Sequence, residues 1–230
     1  MSIDFKRFKK GDTIGGGNYI FRNYTQRFLP DDYQEVEYIE TTGTQYIDTT
    51  LSVQDGYKII CSASFANGSN KNLSGIQTGG GAKRAFGPWA ASQTSSLFSL
   101  GIGVGGAVNT DKLYTIDQRY TFEANLDAIN PYLKIDGVSA VFTASPGGAL
   151  SSAIPNGNIF LFALNNNGTV ATQFVGKVYG NVKLYVGNIL KRDFIPCYRK
   201  SDNEIGLFDI VNQIFYTNTG TGIFIKGSNV

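Results

Sequence analysis

From residue 29 onward the chain alternates apolar and polar side chains in short runs, the period-two pattern of strands with one buried face. The runs are Glu35–Glu40, Gln45–Thr49, Tyr57–Phe65, Ser96–Val104, Lys112–Leu126, Pro131–Ile135, Ala140–Thr143, Ile159–Leu164, Val175–Tyr179, Asn181–Val186, Arg192–Cys197, Ile205–Asp209, Gln213–Thr217 and Ile223–Lys226. Clusters of Gly, Asn, Ser and Asp separate them. Among these, Asp136-Gly137 and Gly187-Asn188 suit the positive φ of a tight hairpin. Almost no helix is expected. The pattern predicts an all-β fold, an antiparallel β-sandwich of jelly-roll type, rather than a parallel sheet with crossover helices.

The first 28 residues break this pattern. Lys6, Arg7, Lys9 and Lys10 mix with Phe5, Phe8, Tyr19, Phe21 and Tyr24 around Gly15-Gly16-Gly17, where no independent core can form. The chain carries 20 basic and 18 acidic side chains. Six of the basic and two of the acidic fall in residues 1–30 (+4), which leaves fourteen and sixteen (−2) for the rest. We therefore expect an extended N-terminal arm, residues 1–28, beside one domain, residues 29–230. The arm would dock on the body or a neighbouring subunit, with Phe5, Phe8, Tyr19 and Phe21 as apolar anchors and Lys6, Arg7, Lys9 and Lys10 on acidic sites.

Composition narrows the chemistry. In 230 residues there are 28 Gly, 19 Asn and 13% aromatics, a strand-and-turn mixture that speaks against helix bundles. No histidine occurs, so a Ser-His-Asp triad, a Cys-His dyad, a histidine-ligated metal and a histidine pH switch are excluded. The even charge balance lacks the positive field with which nucleic-acid binders recruit phosphates. Cys61 and Cys197 lie far apart among apolar neighbours and read as two unpaired buried thiols. No run approaches the roughly 20 apolar residues of a membrane span, and Met1–Gly17 lacks the apolar core of a signal peptide. A soluble product of the cytoplasm is expected.

Several motifs carry candidate chemistry. Gly101-Ile-Gly103-Val-Gly105-Gly106 satisfies G-x-G-x-x-G, but Asn109, Thr110 and a new strand follow where a dinucleotide site needs a helix, so a strand edge or tight loop is expected. Gly79-Gly80-Gly81-Ala82-Lys83-Arg84 reads as a mobile loop bearing two cations that could meet an acidic glycan. For glycoside hydrolysis the best carboxylates are Glu35 and Glu37. On one strand face they would stand about 7 Å apart, near the lower limit for an inverting pair. Glu204 and Asp209, five apart, fall on opposite faces and read as a solvated edge. No run has an EF-hand pattern, and neither metal nor cofactor is expected, calcium being possible but not indicated.

Sugar binding without cleavage needs an exposed ring and planar hydrogen-bonding groups. Trp89, the single tryptophan, sits in the polar, glycine-flanked segment Phe86–Gln93 and outside any apolar strand; Asn165, Asn166 and Asn167 form a candidate loop, and Arg84 lies nearby. The alternative is that Trp89 plugs a sandwich edge and the Asn run supplies turn conformations. In Arg192–Cys197, period two puts Asp193, Ile195 and Cys197 on one face and Arg192, Phe194 and Pro196 on the other. Asp193 with Arg199, or Asp209 with Arg192, would brace adjacent strands, and Phe160 and Leu207 would sit in core strands.

Leu29-Pro30, then Glu35-Val36-Glu37-Tyr38-Ile39-Glu40-Thr41-Thr42-Gly43-Thr44-Gln45-Tyr46-Ile47-Asp48-Thr49, resembles the opening of concanavalin A-like (laminin-G-like) jelly-roll domains common in bacteriophages and prophages of gut bacteria. Ile159–Ala163, Asn165–Gly168, Arg192–Asp202, Ile205–Asp209, Phe215–Asn218 and Gly220–Gly222 are similar to that family's closing half. The resemblance spans roughly residues 29–227, is weakest between about 66 and 110, and leaves out the arm. The E-x-D-x-E strand of related glucanases is absent. The resemblance implies a phage virion protein, made in the host cytoplasm without a secretion signal, that displays a lectin-like jelly roll toward host-surface carbohydrate. It would stand on the head as a decoration or fibre, or on the tail, as a homo-oligomer anchored by its arm to capsid, collar or tail subunits. A purely structural decoration and a polysaccharide-degrading hydrolase are the alternatives.

Overall fold

The computed structural model describes residues 29–52, 56–66, 71–78, 84–90, 97–103, 107–126, 130–143 and 157–230; the arm, Lys83 and the rest of the glycine loop before it lie outside them. The strands run β1 (Tyr33–Glu35), β2 (Tyr38–Thr42), β3 (Ile47–Ser52), β4 (Lys58–Phe65), β5 (Lys71–Asn72), β6 (Ser74–Gln77), β7 (Arg84–Ala90), β8 (Leu97–Gly103), β9 (Ala107–Leu113) and β10 (Arg119–Asn125). They continue as β11 (Tyr132–Ile135), β12 (Val138–Ser139), β13 (Asn158–Leu161), β14 (Leu164–Asn166), β15 (Thr169–Ala171), β16 (Val175–Val186), β17 (Ile189–Arg199), β18 (Ile205–Asp209), β19 (Ile214–Thr217) and β20 (Ile225–Lys226). No helix occurs among the described residues.

Two sheets result. The larger has eleven strands along β12-β11-β10-β4-β16-β17-β18-β19, with β1, β2 and β20 attached; the smaller has nine along β15-β14-β6-β7-β8-β9, joined by β13, β3 and β5. Pairing is antiparallel except between β14 and β6. This is an all-β sandwich of the jelly-roll kind. The Asp136-Gly137 turn has φ of 51° and 79°, the doubly left-handed backbone that a two-residue hairpin requires.

Between the sheets lies a continuous core in which Phe65 (β4) meets Phe98, Phe122 and Phe174 edge-on at 5.0–6.2 Å. Each fully buried ring contributes about 1.5–3 kcal/mol of transfer free energy. A smaller apolar cluster, Ile195, Cys197, Phe208 and Ile210, sits on the outer side of the larger sheet under Leu29, Tyr33 and Phe215. The alternation expected in β17 holds, with Phe194 in the main core and Ile195 and Cys197 in the outer cluster. Both cysteines are therefore buried, free and in separate clusters.

Several expectations are corrected. Glu35–Glu40 is not one strand: β1 stops at Glu35, Val36 bridges to Asn229, and Glu37 lies in the bend before β2. Lys112–Leu126 is not one strand: β9 stops at Leu113, and a turn at Asp117, φ 61°, precedes β10. Asp193 pairs with Lys183 and Asn181, whereas Arg199 takes Asp202 at 2.6 Å, because the chain turns between β17 and β18 and brings Asp202 back to it. Asp209 is no solvated edge. It is fully buried, and its carboxylate stands 3.6 Å from Arg192 and accepts from the Asp193 and Val211 amides and the Asn212 side chain. Phe160 is buried but on the outer face of the smaller sheet, against Tyr46, while Leu207 is in the main core.

Candidate functional site

The strand registers of the smaller sheet line up one row across its outer face: Asp48 (β3), Phe160 (β13), Gly75 (β6), Phe86 (β7), Gly101 (β8) and Ala107 (β9). Large rings alternate with glycines for a steric reason. A Cβ on Gly75 would come within 2.1 Å of Phe86 Cβ, and one on Gly101 within 2.3 Å of the Phe86 ring. The glycines let Phe86 lie down against the sheet, where it is 6% exposed and meets the Trp89 ring edge-on at 5.7 Å. Gly101, the start of the apparent dinucleotide motif, is thus explained by packing.

Two polar rows flank this one. On one side Asn166 (β14) pairs with Gln77 (β6), which pairs with Arg84 (β7), which pairs with Gly103 (β8). On the other, Asn72 (β5) pairs with Trp89, Trp89 with Ser99 (β8) and Ser99 with Asn109 (β9). Ser99 donates to Asn109 Oδ1 at 2.6 Å. Among the described residues, the buried side-chain atoms without a hydrogen-bond partner are Asn72 Oδ1 and Nδ2, Trp89 Nε1, Arg84 Nε and Asn166 Oδ1. All are carried by these two rows. Each such atom costs roughly 1–3 kcal/mol when nothing pairs with it, so their gathering in two rows of one sheet sets this face apart.

At one end of the face is a depression of about 400 Å³ lined by Asp48, Asn158, Phe160, Asn165, Asn167 and Gly168 with Ile76 and Gly157. Asp48 accepts from the Thr50 amide at 2.8 Å and from Asn158 Nδ2 at 3.2 Å. Asn165 is consumed by the turn: it donates to the Asn158 carbonyl at 2.8 Å and accepts from the Gly168 amide at 2.7 Å. Asn167, at φ 53°, donates only its backbone N–H, to the Gln77 carbonyl. Its side chain is exposed. Chemically, the depression offers a carboxylate and planar amides beside an aromatic wall, groups suited to sugar hydroxyls.

The residues expected at a ligand site therefore separate. Arg84, Trp89 and Asn166 share the outer face of the smaller sheet, Asn165 and Asn167 line the depression at its end, and Asn165 is structural. Trp89 is not in a loop. It lies in β7, half-buried, where the register shifts between Phe86 and Trp89, and it stands on the sheet face rather than plugging an edge. The Asn run is only partly a turn, since Asn165 and Asn166 belong to β14. Asp48, Gln77, Asn72, Asn158 and Phe86 were not singled out by the sequence; alternation within their short strands is the one signal that could have marked them. A second cleft of about 260 Å³ at Tyr57, Lys58, Asn125, Tyr132 and Asn188 opens beside the larger sheet. Among the described residues no group of three acidic or cysteine side chains could hold a metal ion. Glu35 and Glu37 do not share a strand face.

No family model and no curated protein matches the chain. Solved structures do. A candidate carbohydrate binding protein from Bacteroides ovatus aligns at TM-score 0.53 and 10% identity, over 85% of this chain and 62% of that one. The chain thus spans less than two thirds of that protein. Mouse laminin alpha1 domains LG4-5 align at TM-score 0.48 and 20% identity over 69% of this chain and 44% of that one. A heptameric pentraxin from Limulus polyphemus aligns at 0.46 and 6% identity over 65% and 76%.

Proposed function

We propose that this chain is a non-catalytic carbohydrate-binding module whose ligand lies on the outer face of the smaller sheet. The observation that carries the reading is the collection of unpartnered polar atoms of the half-buried Trp89, Arg84 and Asn166 on that one face. Hydroxyl-rich ligands complete such groups, and the half-buried Trp89 ring offers an apolar surface beside them. The fold shared with the Bacteroides ovatus protein supports it. That Glu35 and Glu37 do not stand together on one strand weighs against cleavage. The finer setting is a phage particle, with the 1–28 arm attached to other virion subunits and the 29–230 domain facing host glycans. It rests on the sequence resemblance.

The test is a glycan array probed with the whole chain, with Trp89→Ala in parallel. Saturable binding to a subset of glycans, weakened at least tenfold in the variant, is expected. Retention of no glycan, or equal retention by both proteins, overturns the reading.

A further inference from the structure

We propose that the ligand of this face is an acidic saccharide, a sugar chain carrying carboxylate or sulfate groups, and that Arg84 is the residue that holds the charge. The inference rests on the carbohydrate-binding reading above and adds to it the chemical class of the sugar.

Four arginines lie among the described residues, and three are engaged. Arg119 donates to Ser62 Oγ at 2.8 Å and covers the Tyr179 ring at 4.4 Å. Arg192 pairs with Asp209 and donates to the Thr49 carbonyl, and Arg199 pairs with Asp202. Among the described residues Arg84 finds no ion pair, ring contact or hydrogen-bond partner for its side chain, and its Nε is buried. A half-buried guanidinium without a counter-charge is unfavourable, because water is partly removed and nothing replaces it. Its planar fork of donors fits a carboxylate or sulfate in a two-point pair, which a neutral hydroxyl does not reproduce.

The surroundings leave that charge uncompensated. Its cross-strand neighbours are the neutral Gln77 on one side and Gly103, with no side chain, on the other; Asn166 follows beyond Gln77. Asn166 Oδ1 is an unpartnered acceptor among the described residues, and Gln77 sets a neutral amide between it and Arg84, so hydroxyls flanking the anion have places to go. The acid of the main row, Asp48, stands across β13 and β6 from β7. Three strand spacings put it roughly 14 Å away, beyond the screening length of about 8 Å in physiological salt. Asp111, on β9, is paired with Lys112 and accepts from the Val141 amide. A neutral sugar would satisfy the amides and leave the guanidinium as it is; an acidic one satisfies both.

The experiment uses the whole chain on an array that sets uronate-, sialate- and sulfate-bearing glycans beside their neutral parents, with Arg84→Gln, Arg84→Lys and Lys191→Gln. Lys191 is a cation of the other sheet and controls for net charge. Binding confined to acidic glycans is expected, at least tenfold weaker in Arg84→Gln, partly restored in Arg84→Lys and unchanged in Lys191→Gln, with thermal unfolding confirming that each variant is folded. Equal binding of neutral parents, or wild-type binding of the acidic glycans by Arg84→Gln, overturns the inference while the carbohydrate-binding reading stands. Retention of no glycan removes both.

Discussion

An alanine at Gly101 places a methyl group where the Phe86 ring now lies, 2.3 Å from its Cε1 and Cζ and 2.6 Å from its Cδ1. The Gly101 backbone does not lie in the left-handed region, so the collision is the main effect of the change. Phe86 cannot slide sideways. Gly75 hems its Cβ on the neighbouring strand, and the Trp89 ring meets it edge-on at 5.7 Å. The ring must swing off the sheet, giving up its seat and its contact with Trp89. Overpacking of this kind costs roughly 1–3 kcal/mol, and the stiffer unfolded chain of alanine returns about 0.4–1 kcal/mol, which leaves a net loss of about 1–2 kcal/mol. In a Phe86→Ala background there is no ring to displace, and the same substitution should be neutral or slightly stabilising. The double-mutant cycle should thus show a coupling of roughly 1–3 kcal/mol. Urea unfolding followed by far-ultraviolet circular dichroism measures it, and emission of the single tryptophan, Trp89, reports the local displacement as a red shift. An equal cost of Gly101→Ala in both backgrounds refutes the argument, because the penalty would then not come from Phe86.

Two further outcomes test the packing and the buried charges. Removing the buried Asp209 carboxylate in Asp209→Ala strands the half-buried Arg192 and three donors, and should cost about 3–5 kcal/mol, whereas Asp202→Ala at the exposed Arg199 pair should cost under about 1 kcal/mol; comparable urea midpoints for the two variants would show that burial does not set the difference. Burial pushes the thiols of Cys61 and Cys197 up to about 12, from an ordinary value of 9.0, and pushes the Tyr57 phenol up in the same direction. Groups raised in this way lend stability that is complete below the unfolded value and is lost as pH climbs through the folded one. Thermal stability should therefore fall between about pH 9 and 12, and both thiols should resist a thiol reagent at pH 8 until the chain is unfolded; labelling of either in the native protein contradicts the burial.

The larger sheet was legible because its strands are long and one face of each is apolar. Arg192–Cys197 and Ile205–Asp209 show period two plainly, and Asp136-Gly137 and Gly187-Asn188 mark their hairpins by residue type alone. The smaller sheet was not. Its middle strands read Ser-Gly-Ile-Gln, Arg-Ala-Phe-Gly-Pro-Trp-Ala and Leu-Phe-Ser-Leu-Gly-Ile-Gly. Glycine and proline are the ordinary signals of loops, so only the last of these, β8, was anticipated as a strand. Of the two expected ion pairs, Asp209 with Arg192 formed, and Asp193 with Arg199 did not, for a related reason. Asp193 and Arg199 lie close in sequence, but Lys183 reaches Asp193 from the neighbouring strand β16, a register that no local pattern encodes.

The same physics that hid the smaller sheet assembles its outer face. A glycine in a strand weakens the local signal and at the same time vacates space for a ring on the adjacent strand, as Gly75 and Gly101 do for Phe86. The functional row is perpendicular to the chain: Asn166, Gln77, Arg84 and Gly103 come from four strands and are neighbours only through registers between them. Sequence reading could find Arg84 and Asn166 as isolated polar residues and could not know that they share a row with Gln77 between them. Nor could it distinguish Arg84 from Arg192, since each simply follows a lysine in the sequence. The difference is that β18 delivers the buried Asp209 to one of them, and nothing among the described residues delivers an acid to the other. A charge left open among the described residues, in a row that also holds the unpartnered Asn166 Oδ1, is the feature on which the proposed site rests.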